Sequence, residues 1–364
     1  MKNSFGNSLT VTLFGESHGD AIGAVIDGIS PGIRVSDEYI KEKLSRRRPS
    51  GKISTTRVEA DEYRIVSGVF NGYTTGTPLT LIIENTNKKN SDYSALVDTP
   101  RPSHADYTAD VKYHGYQDYR GGGHFSGRIT AALVAVGAIL QSALEEKGVK
   151  IGTHIKSLGK ASDVAFTDYE KDISSLAKRP FPTISEAAQV EMVALAESIG
   201  ASGDSIGGIL ETAVVGLPVG VGEPWFDSLE GVLSHILFSI PAVKGVQFGL
   251  GFGFGGALGS EANDAFRYEG NTVVTETNNS GGINGGISNG MPIVFSVAVR
   301  PTPSIFKEQK TVSLANGENT ILKISGRHDP MIVHRAAPVV DAAVAIALSD
   351  MLITRFGTDY LAKQ

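Results

Sequence analysis

Alternating apolar and polar positions open the chain. Residues 8–14, "SLTVTLF", read as a half-buried strand, and 21–29, "AIGAVIDGI", as its neighbour. The next segment, "SDEYIKEKLSRRRP" (36–49), predicts a short helix: Ser36 suits the N-cap, acids fill the first turn, arginines fill the last and Pro49 ends it. "TPLTLIIEN" (77–85) reads as another strand. The clearest helical spacing is that of Ile129, Ala132, Leu133, Val136, Leu140 and Ala143, with Gly148 following "EEK" as a C-cap. Further helices are predicted over 185–199, over 227–238 with Asp227 as cap, and over 339–355 after Pro338. Strands are predicted at 209–215, 244–249 and 292–299. No repeat of fixed period and no low-complexity linker interrupts the chain, and the polar, Pro-containing stretch 157–185 is too short to mark a boundary. Strict βαβ alternation is missing, which argues against a doubly wound sheet and for an α+β fold in a single domain over 1–364.

Composition narrows the class. Glycine accounts for 43 of 364 residues, well above the usual ~7%, and it gathers at 121–123, 207–208, 249–256 and 281–286 without a collagen period. Such clusters point to loops built from bare backbone. Cysteine is absent, which excludes disulfides and thiolate metal sites. The longest apolar run, "AALVAVGAIL" (131–140), stops at Gln141, short of a membrane span. The N-terminus lacks the apolar core of a signal peptide, so a cytoplasmic protein is expected. A net charge of −6 argues against bulk nucleic-acid binding, so any anion must be met by local clusters of basic residues.

Several motifs carry chemistry. "GGGHFSGR" (121–128) is neither a P-loop nor a dinucleotide motif, because the spacing fails. Either it is a helix-entry turn, or Ser126 and Arg128 at a helix mouth favour an anion there. "FGESHGDAIG" (14–23) sets Glu16 and His18 just after a strand, where the imidazole is either a structural side chain or, with flanking glycines clearing space around it, a proton donor near neutral pH. "RRRPSGK" (46–52) concentrates four positive charges, either as a solvated helix end or as a pocket for a multiply charged anion. "RPSHADYTADVKY" (101–113) places His104 beside Asp106. "NNSGGINGGISNG" (278–290) feeds a strand that ends in "RPTPS" (300–304), where a planar ligand could lie on bare backbone or a hairpin could simply turn. "SGRHDPMIVHRAAP" (325–338) gathers His and Asp with arginines, a mixture that suits an anion better than a metal, so no metal is expected.

Taken in order, these motifs resemble the chorismate synthase family, and the match continues through "SGVFNGYTTGTP" (67–78), "GDSIGG" (203–208), "GLPVGVGEP" (216–224) and "PAVKGVQFGLG" (241–251). The resemblance spans nearly the whole chain. It implies a helical layer sandwiched between antiparallel sheets, a homotetramer, and a lyase that converts 5-enolpyruvylshikimate 3-phosphate to chorismate and phosphate by a 1,4-elimination. It also implies reduced FMN as a cofactor, with no net redox change. By similarity, His18 would protonate the leaving phosphate, His104 would supply a proton to the reduced flavin, and Asp329 would assist hydrogen removal at flavin N5. Arg47, Arg48, Arg128 and Arg327 would bind the anionic substrate. The flavin would lie against His124, Phe125, Ser126, Pro241, Ala242, Gly285, Arg300, Pro301, Thr302, Pro303, Ser304 and Arg327.

Some positions depart from the family pattern. His124 and Phe125 stand where an arginine and a serine are usual, Arg300 where a lysine is, and Asp341 where a glutamate is. A histidine at position 124 is expected to make flavin affinity depend on pH. Family members that reduce their own flavin with NADPH carry insertions that this chain lacks. Arg47 and Lys52 could face that nucleotide by similarity, but an external flavin reductase is expected. Two other readings stay open: a flavin or nicotinamide oxidoreductase, and a non-catalytic anion- or RNA-binding module. The module reading lacks aromatic platforms and an overall positive balance.

Overall fold

The computed structural model describes residues 2–49, 53–54, 60–86, 98–324 and 329–362. The chain runs through β1 (Ser4–Phe5), β2 (Thr10–Gly15), β3 (Ala21–Asp27), α1 (Asp37–Arg47) and β4 (Tyr63–Ser67). A small ribbon, β5 (Val69–Phe70) and β6 (Tyr73–Thr74), precedes β7 (Leu79–Glu84), α2 (Asp106–Tyr113) and α3 (Thr130–Glu146). Then come β8 (Lys150–Leu158), β9 (Ala161–Ser162), α4 (Tyr169–Leu176), α5 (Glu186–Ala201), β10 (Gly208–Val215), α6 (Leu229–Ser239) and β11 (Val243–Phe248). After α7 (Gly259–Ala262), two ribbons follow, β12–β13 (Phe266–Glu269, Thr272–Thr275) and β14–β15 (Ile283–Asn284, Ile287–Ser288). The chain closes with β16 (Ile293–Val299), a ribbon of β17 (Gln309–Ser313) and β18 (Glu318–Leu322), and α8 (Val333–Phe356).

Two five-stranded antiparallel sheets form, in the orders β1-β2-β3-β7-β4 and β11-β16-β10-β8-β9. Between them lie α3 and α8, which pack on one another; α3 also meets β3 and β7, and α8 meets β8 and β10. The expected α+β sandwich is what forms. Both central helices are apolar all round, as a helix buried between two sheets must be. Their close approach needs Gly137, because a Cβ there would stand 2.5 Å from the Ala342 Cβ. The facing apolar residues of both sheets and the helical layer make one continuous cluster, while Ala213 and Val215 on the other face of β10 pack with Ile173 of α4.

Three details differ from the sequence reading. The apolar character does not stop at Gln141: that residue is buried inside α3, which runs to Glu146 as its spacing predicts. Consequently two helices, Gly127–Glu146 and Val333–Phe356, are long and apolar enough to cross a membrane, yet 83% and 94% of their apolar windows are buried in the protein. Ser228, not Asp227, caps α6, because its hydroxyl accepts from the Gly231 N–H. Pro338 lies inside α8 instead of preceding it. Near the helix start its missing N–H costs one bond, to the His334 carbonyl, and burial of the long apolar segment beyond it outweighs that loss. The N-terminal turn is tied to the same helix by Asp350, whose buried carboxylate accepts from the backbone N–H groups of Asn7, Ser8 and Leu9 at 2.8–3.0 Å.

The second sheet contains a buried ionic cluster. His154 is fully enclosed, with Nδ1 2.9 Å from Asp163 and Nε2 3.2 Å from Glu211, and Glu211 also pairs with Lys156 at 2.5 Å. Carboxylate oxygens only accept, so both ring nitrogens carry hydrogen and the ring is cationic. Burial pushes the imidazole down, but the two carboxylates outweigh it and hold His154 above its ordinary value, while Asp163 and Glu211 are held below theirs. The sign follows from linkage. The histidine's contribution is complete below an unfolded value of about 6.5 and fades as pH rises through its higher folded value. The carboxylates' contribution is present above about 4 and is lost on acidification. The melting temperature is therefore expected to fall by a few degrees as pH rises from 6.5 towards 9, and His154→Gln should flatten that alkaline arm in a pH series of thermal melts. Equal slopes in both proteins would refute the assignment.

Candidate active site

The glycine run 121–123 is a turn whose conformation only glycine takes easily: Gly121, Gly122 and Gly123 have φ of +58°, +83° and +53°. The turn packs between two histidines. A Cβ on Gly121 would lie 2.3 Å from His18 Cε1, and one on Gly122 would lie 3.2 Å from His104 Cε1. The loop therefore brings His18 and His104 to its two sides.

Each histidine has its Nδ1 occupied. Ser17 Oγ donates to the carbonyls of Arg120 and Gly121, at 3.2 and 3.1 Å, so it accepts from His18 Nδ1 at 2.9 Å. His18 is buried at the end of β2, and Nε2 is the nitrogen whose protonation can change. His104 Nδ1 lies 2.6 Å from Asp106, which also takes a two-pronged bond from Arg101 at 2.8 Å per branch. Burial pushes the Asp106 carboxyl up, but Arg101 and His104 outweigh it and hold it well below the usual carboxylate range. An ionised Asp106 fixes the His104 hydrogen on Nδ1 and leaves Nε2 to exchange a proton beside Gly122.

Beside this pair, the arginines converge. Arg47 closes α1, Arg48 caps it, and Arg128 sits in the turn that leads into α3. All three pair with Asp61, Arg47 at 3.3 Å, Arg48 at 3.5 Å and Arg128 closest. The Asp61 side chain is fully buried. Asn85, just after β7, ties the two groups together. It donates to the carbonyls of Glu16 and Gly19 at 2.9 and 3.0 Å, and it accepts from Arg128 Nε at 3.2 Å. Sequence reading missed both Asp61 and Asn85. Neither lies in a motif with a local chemical signature, and both act only through contacts made in the folded chain.

On the far side of the arginines, Arg335 links Arg47 to Asp329. Its Nε donates to the Arg47 carbonyl at 2.9 Å and its Nη1 pairs with Asp329 at 2.5 Å. Asp329 lines a cavity of about 390 Å³ together with Ser54, Ser304, Phe306 and Pro330. Ser304 belongs to the 300–304 segment, which follows β16. The β11–β16 pairing brings Pro241 and Ala242 against that segment, with the Arg300 N–H donating to the Ala242 carbonyl at 2.9 Å. Ala242 has φ of +75°, a strained conformation for a residue with a Cβ.

The other expected flavin contacts are distributed unevenly. His124 donates from Nδ1 to the Gly15 carbonyl at 2.8 Å, beside the His18 turn. Phe125 is half-exposed, edge-on to Tyr113, and Ser126 caps the turn into α3 by accepting from the Arg128 N–H at 3.3 Å. Gly285 and Gly286, with φ of +62° and +87°, form the two-residue turn of the β14–β15 hairpin, so Gly285 is required by the turn, and nothing lies within 4 Å of where its Cβ would be. Arg327 and Lys52 lie outside the described residues. Asp341 is remote from these contacts; it is buried in α8 and bonded to Thr153 at 2.6 Å.

The residues present fit a flavin. Among the described residues, Thr302 Oγ1 is buried without a hydrogen-bond partner and Arg300 makes no ion pair, so both could meet a polar, anionic group along the segment that leads to Ser304.

Comparison with known proteins gives one answer. A family model described as chorismate synthase matches residues 9–353. A chorismate synthase from Thermococcus kodakarensis is 46% identical over 350 residues, covering 96% of this chain and 97% of that protein. One from Dehalococcoides mccartyi is 45% identical over 355 residues, covering 97% of each. A solved structure titled "Crystal Structure of Chorismate Synthase" superposes with a TM-score of 0.76 at 29% identity, covering 98% of this chain and 94% of that one.

Proposed function

The chain belongs to the chorismate synthase family, and from that premise we propose which residues carry the reaction and which cofactor they hold. The activity is that of the family: a lyase of the shikimate pathway that takes 5-enolpyruvylshikimate 3-phosphate to chorismate and phosphate, serving aromatic amino-acid biosynthesis. The oxidoreductase and RNA-binding readings find no support in any of the comparisons.

The observation that carries the assignment is the convergence of Arg47, Arg48 and Arg128 on one buried carboxylate, with Asn85 joining them to the His18 turn. Three guanidiniums gathered around Asp61 concentrate donors and positive charge at one place inside an acidic protein, which suits a substrate bearing a phosphate and two carboxylates. His18, with Nδ1 tied to Ser17, offers its Nε2 proton to the departing phosphate. His104, oriented by Asp106, holds a proton at Nε2 on the other side of the glycine turn. Asp329, held by Arg335, would assist removal of the ring hydrogen at flavin N5. Arg327 would add to the anion grip, and Arg47 and Lys52 would meet a nicotinamide nucleotide if one is used.

Flavin dependence is general in this family; reduced FMN is the form we assign, held by His124–Ser126, Pro241–Ala242, Gly285 and Arg300–Ser304. Bound there, reduced flavin would supply transient electron density to the reacting carbon framework, with no net redox change. An external reductase or NADPH-dependent source keeps the flavin reduced. We further propose that the chain works as one domain, in the cytoplasm, as a homotetramer. Self-association is supported by aromatic side chains left outside between residues 225 and 268, where Trp225, Phe226 and Phe252 are 86%, 93% and 91% exposed.

Anaerobic incubation with 5-enolpyruvylshikimate 3-phosphate and photoreduced FMN should release phosphate and chorismate in equal amounts, and omission of the reduced flavin should abolish both. Turnover without flavin, or phosphate release without chorismate, would overturn the cofactor assignment.

A further inference from the structure

A second polar cavity lies away from the residues above. It has a volume of about 300 Å³, at the lower end of small-molecule sites, and is enclosed by α1, α3, β8, α4 and the buried face of α8. We propose that it binds a small organic anion with a carboxylate head and an apolar body.

The argument begins with Lys43. This residue is 5% exposed, yet among the described residues its ammonium makes no hydrogen bond and no ion pair; its one directed contact is with the Tyr39 ring, 4.8 Å away. The ammonium is not one of the enclosed polar atoms without a partner; it reaches the cavity, where solvent can meet its three donors until a ligand acceptor takes that place. Gln141, 3% exposed, likewise lines the cavity, and its side chain has no hydrogen-bond partner among the described residues. The nearby carboxylates are already engaged: Glu145 accepts from the Tyr39 hydroxyl at 2.6 Å, and Asp341 accepts from Thr153 at 2.6 Å. Burial pushes Asp341 up, against the pull of Arg46 and Lys43, and pushes Lys43 down, against the pull of Asp341, so the standing cation on this wall is the Arg46 guanidinium. Arg46 spends one branch on the Leu176 carbonyl at 3.2 Å. The site thus presents surplus donors and positive charge, and the missing partner is an acceptor with negative charge. Ile151, Ile173 and Leu176 line the rest of the cavity, so the ligand carries an apolar body beyond its head.

The cavity is separate from the substrate arginines although it shares a helix with them. Lys43 and Arg46 point to this side of α1, whereas Arg47 and Arg48 turn to Asp61. Its occupancy can therefore be tested apart from catalysis.

The probe is 3-phenylpropanoate, titrated into the full chain by calorimetry, with 3-phenylpropanamide as the uncharged control. Saturable binding is expected for the carboxylate, and at least about tenfold weaker binding for the amide. Lys43→Met keeps the length of the side chain and removes the charge, and should weaken carboxylate binding at least about tenfold. Ser174→Trp, at an exposed position on the cavity rim, should do the same by closing the mouth, and it keeps the test valid if the buried substitution impairs folding. A cavity that holds solvent only would give no saturable binding up to about 10 mM, and that result overturns the proposal. Unchanged affinity in both variants overturns it as well.

Discussion

Replacing His18 with Gln is expected to lower kcat by a factor of about 10²–10⁴, the range in which a positioned proton donor contributes, with little change in KM. The phosphate must leave as a stabilised anion, and a donor at hydrogen-bond distance lowers the barrier only if its proton is held in the right place. Ser17 fixes Nδ1 and the Gly121 backbone lies against the ring, so the imidazole cannot rotate away from its task. Glutamine keeps an amide of similar reach but cannot transfer a proton. The pH–rate profile should accordingly lose a limb, which a merely structural defect would not remove. His104→Ala should produce a comparable fall, while His18→Gln leaves flavin affinity as it was. Full activity in both variants, with wild-type melting curves, would end the proton-transfer assignment for these two residues.

Much of this site was legible in the chain because its elements announce themselves locally. Ser36 caps α1 as expected by accepting from the Tyr39 N–H at 3.2 Å, and the basic last turn of α1 delivers the arginines. The strands with alternating patterns fall within one or two residues of their predicted places, since one face of each meets the core. Strand β8 escaped notice for the opposite reason. Its polar residues Thr153 and His154 are buried, so the alternation is broken by side chains whose partners, Asp341, Asp163 and Glu211, are distant in sequence. The motif "GGGHFSGR" left open whether its glycines formed a turn or an anion cradle. The structure shows a turn that places two histidines, with Arg128 one step further on. Asp61 and Asn85 could not be read from sequence because their partners are fixed by the tertiary fold.

Asp61 is where the second large effect is expected. Asp61→Asn keeps the shape of the side chain and removes a buried negative charge that Arg47, Arg48 and Arg128 share. Taking one partner out of a buried ionic group leaves uncompensated charge, at a cost of about 3–5 kcal/mol. The apo variant should therefore melt several degrees below the parent. The loss should be conditional, however, because the site is built to receive an anion. A ligand that binds the folded form alone stabilises it by RT ln(1 + [L]/Kd). Inorganic phosphate should thus raise the melting temperature of the variant further than that of the parent, in which Asp61 already competes for the same guanidiniums. Substrate should bind the variant more tightly in the ground state without a matching gain in kcat, since a grip present before the C–O bond breaks does not favour the transition state over the substrate. If the variant melts like the parent and responds no more strongly to phosphate, the three arginines do not depend on Asp61 for balance, and the picture of a carboxylate that holds the substrate's place must be abandoned.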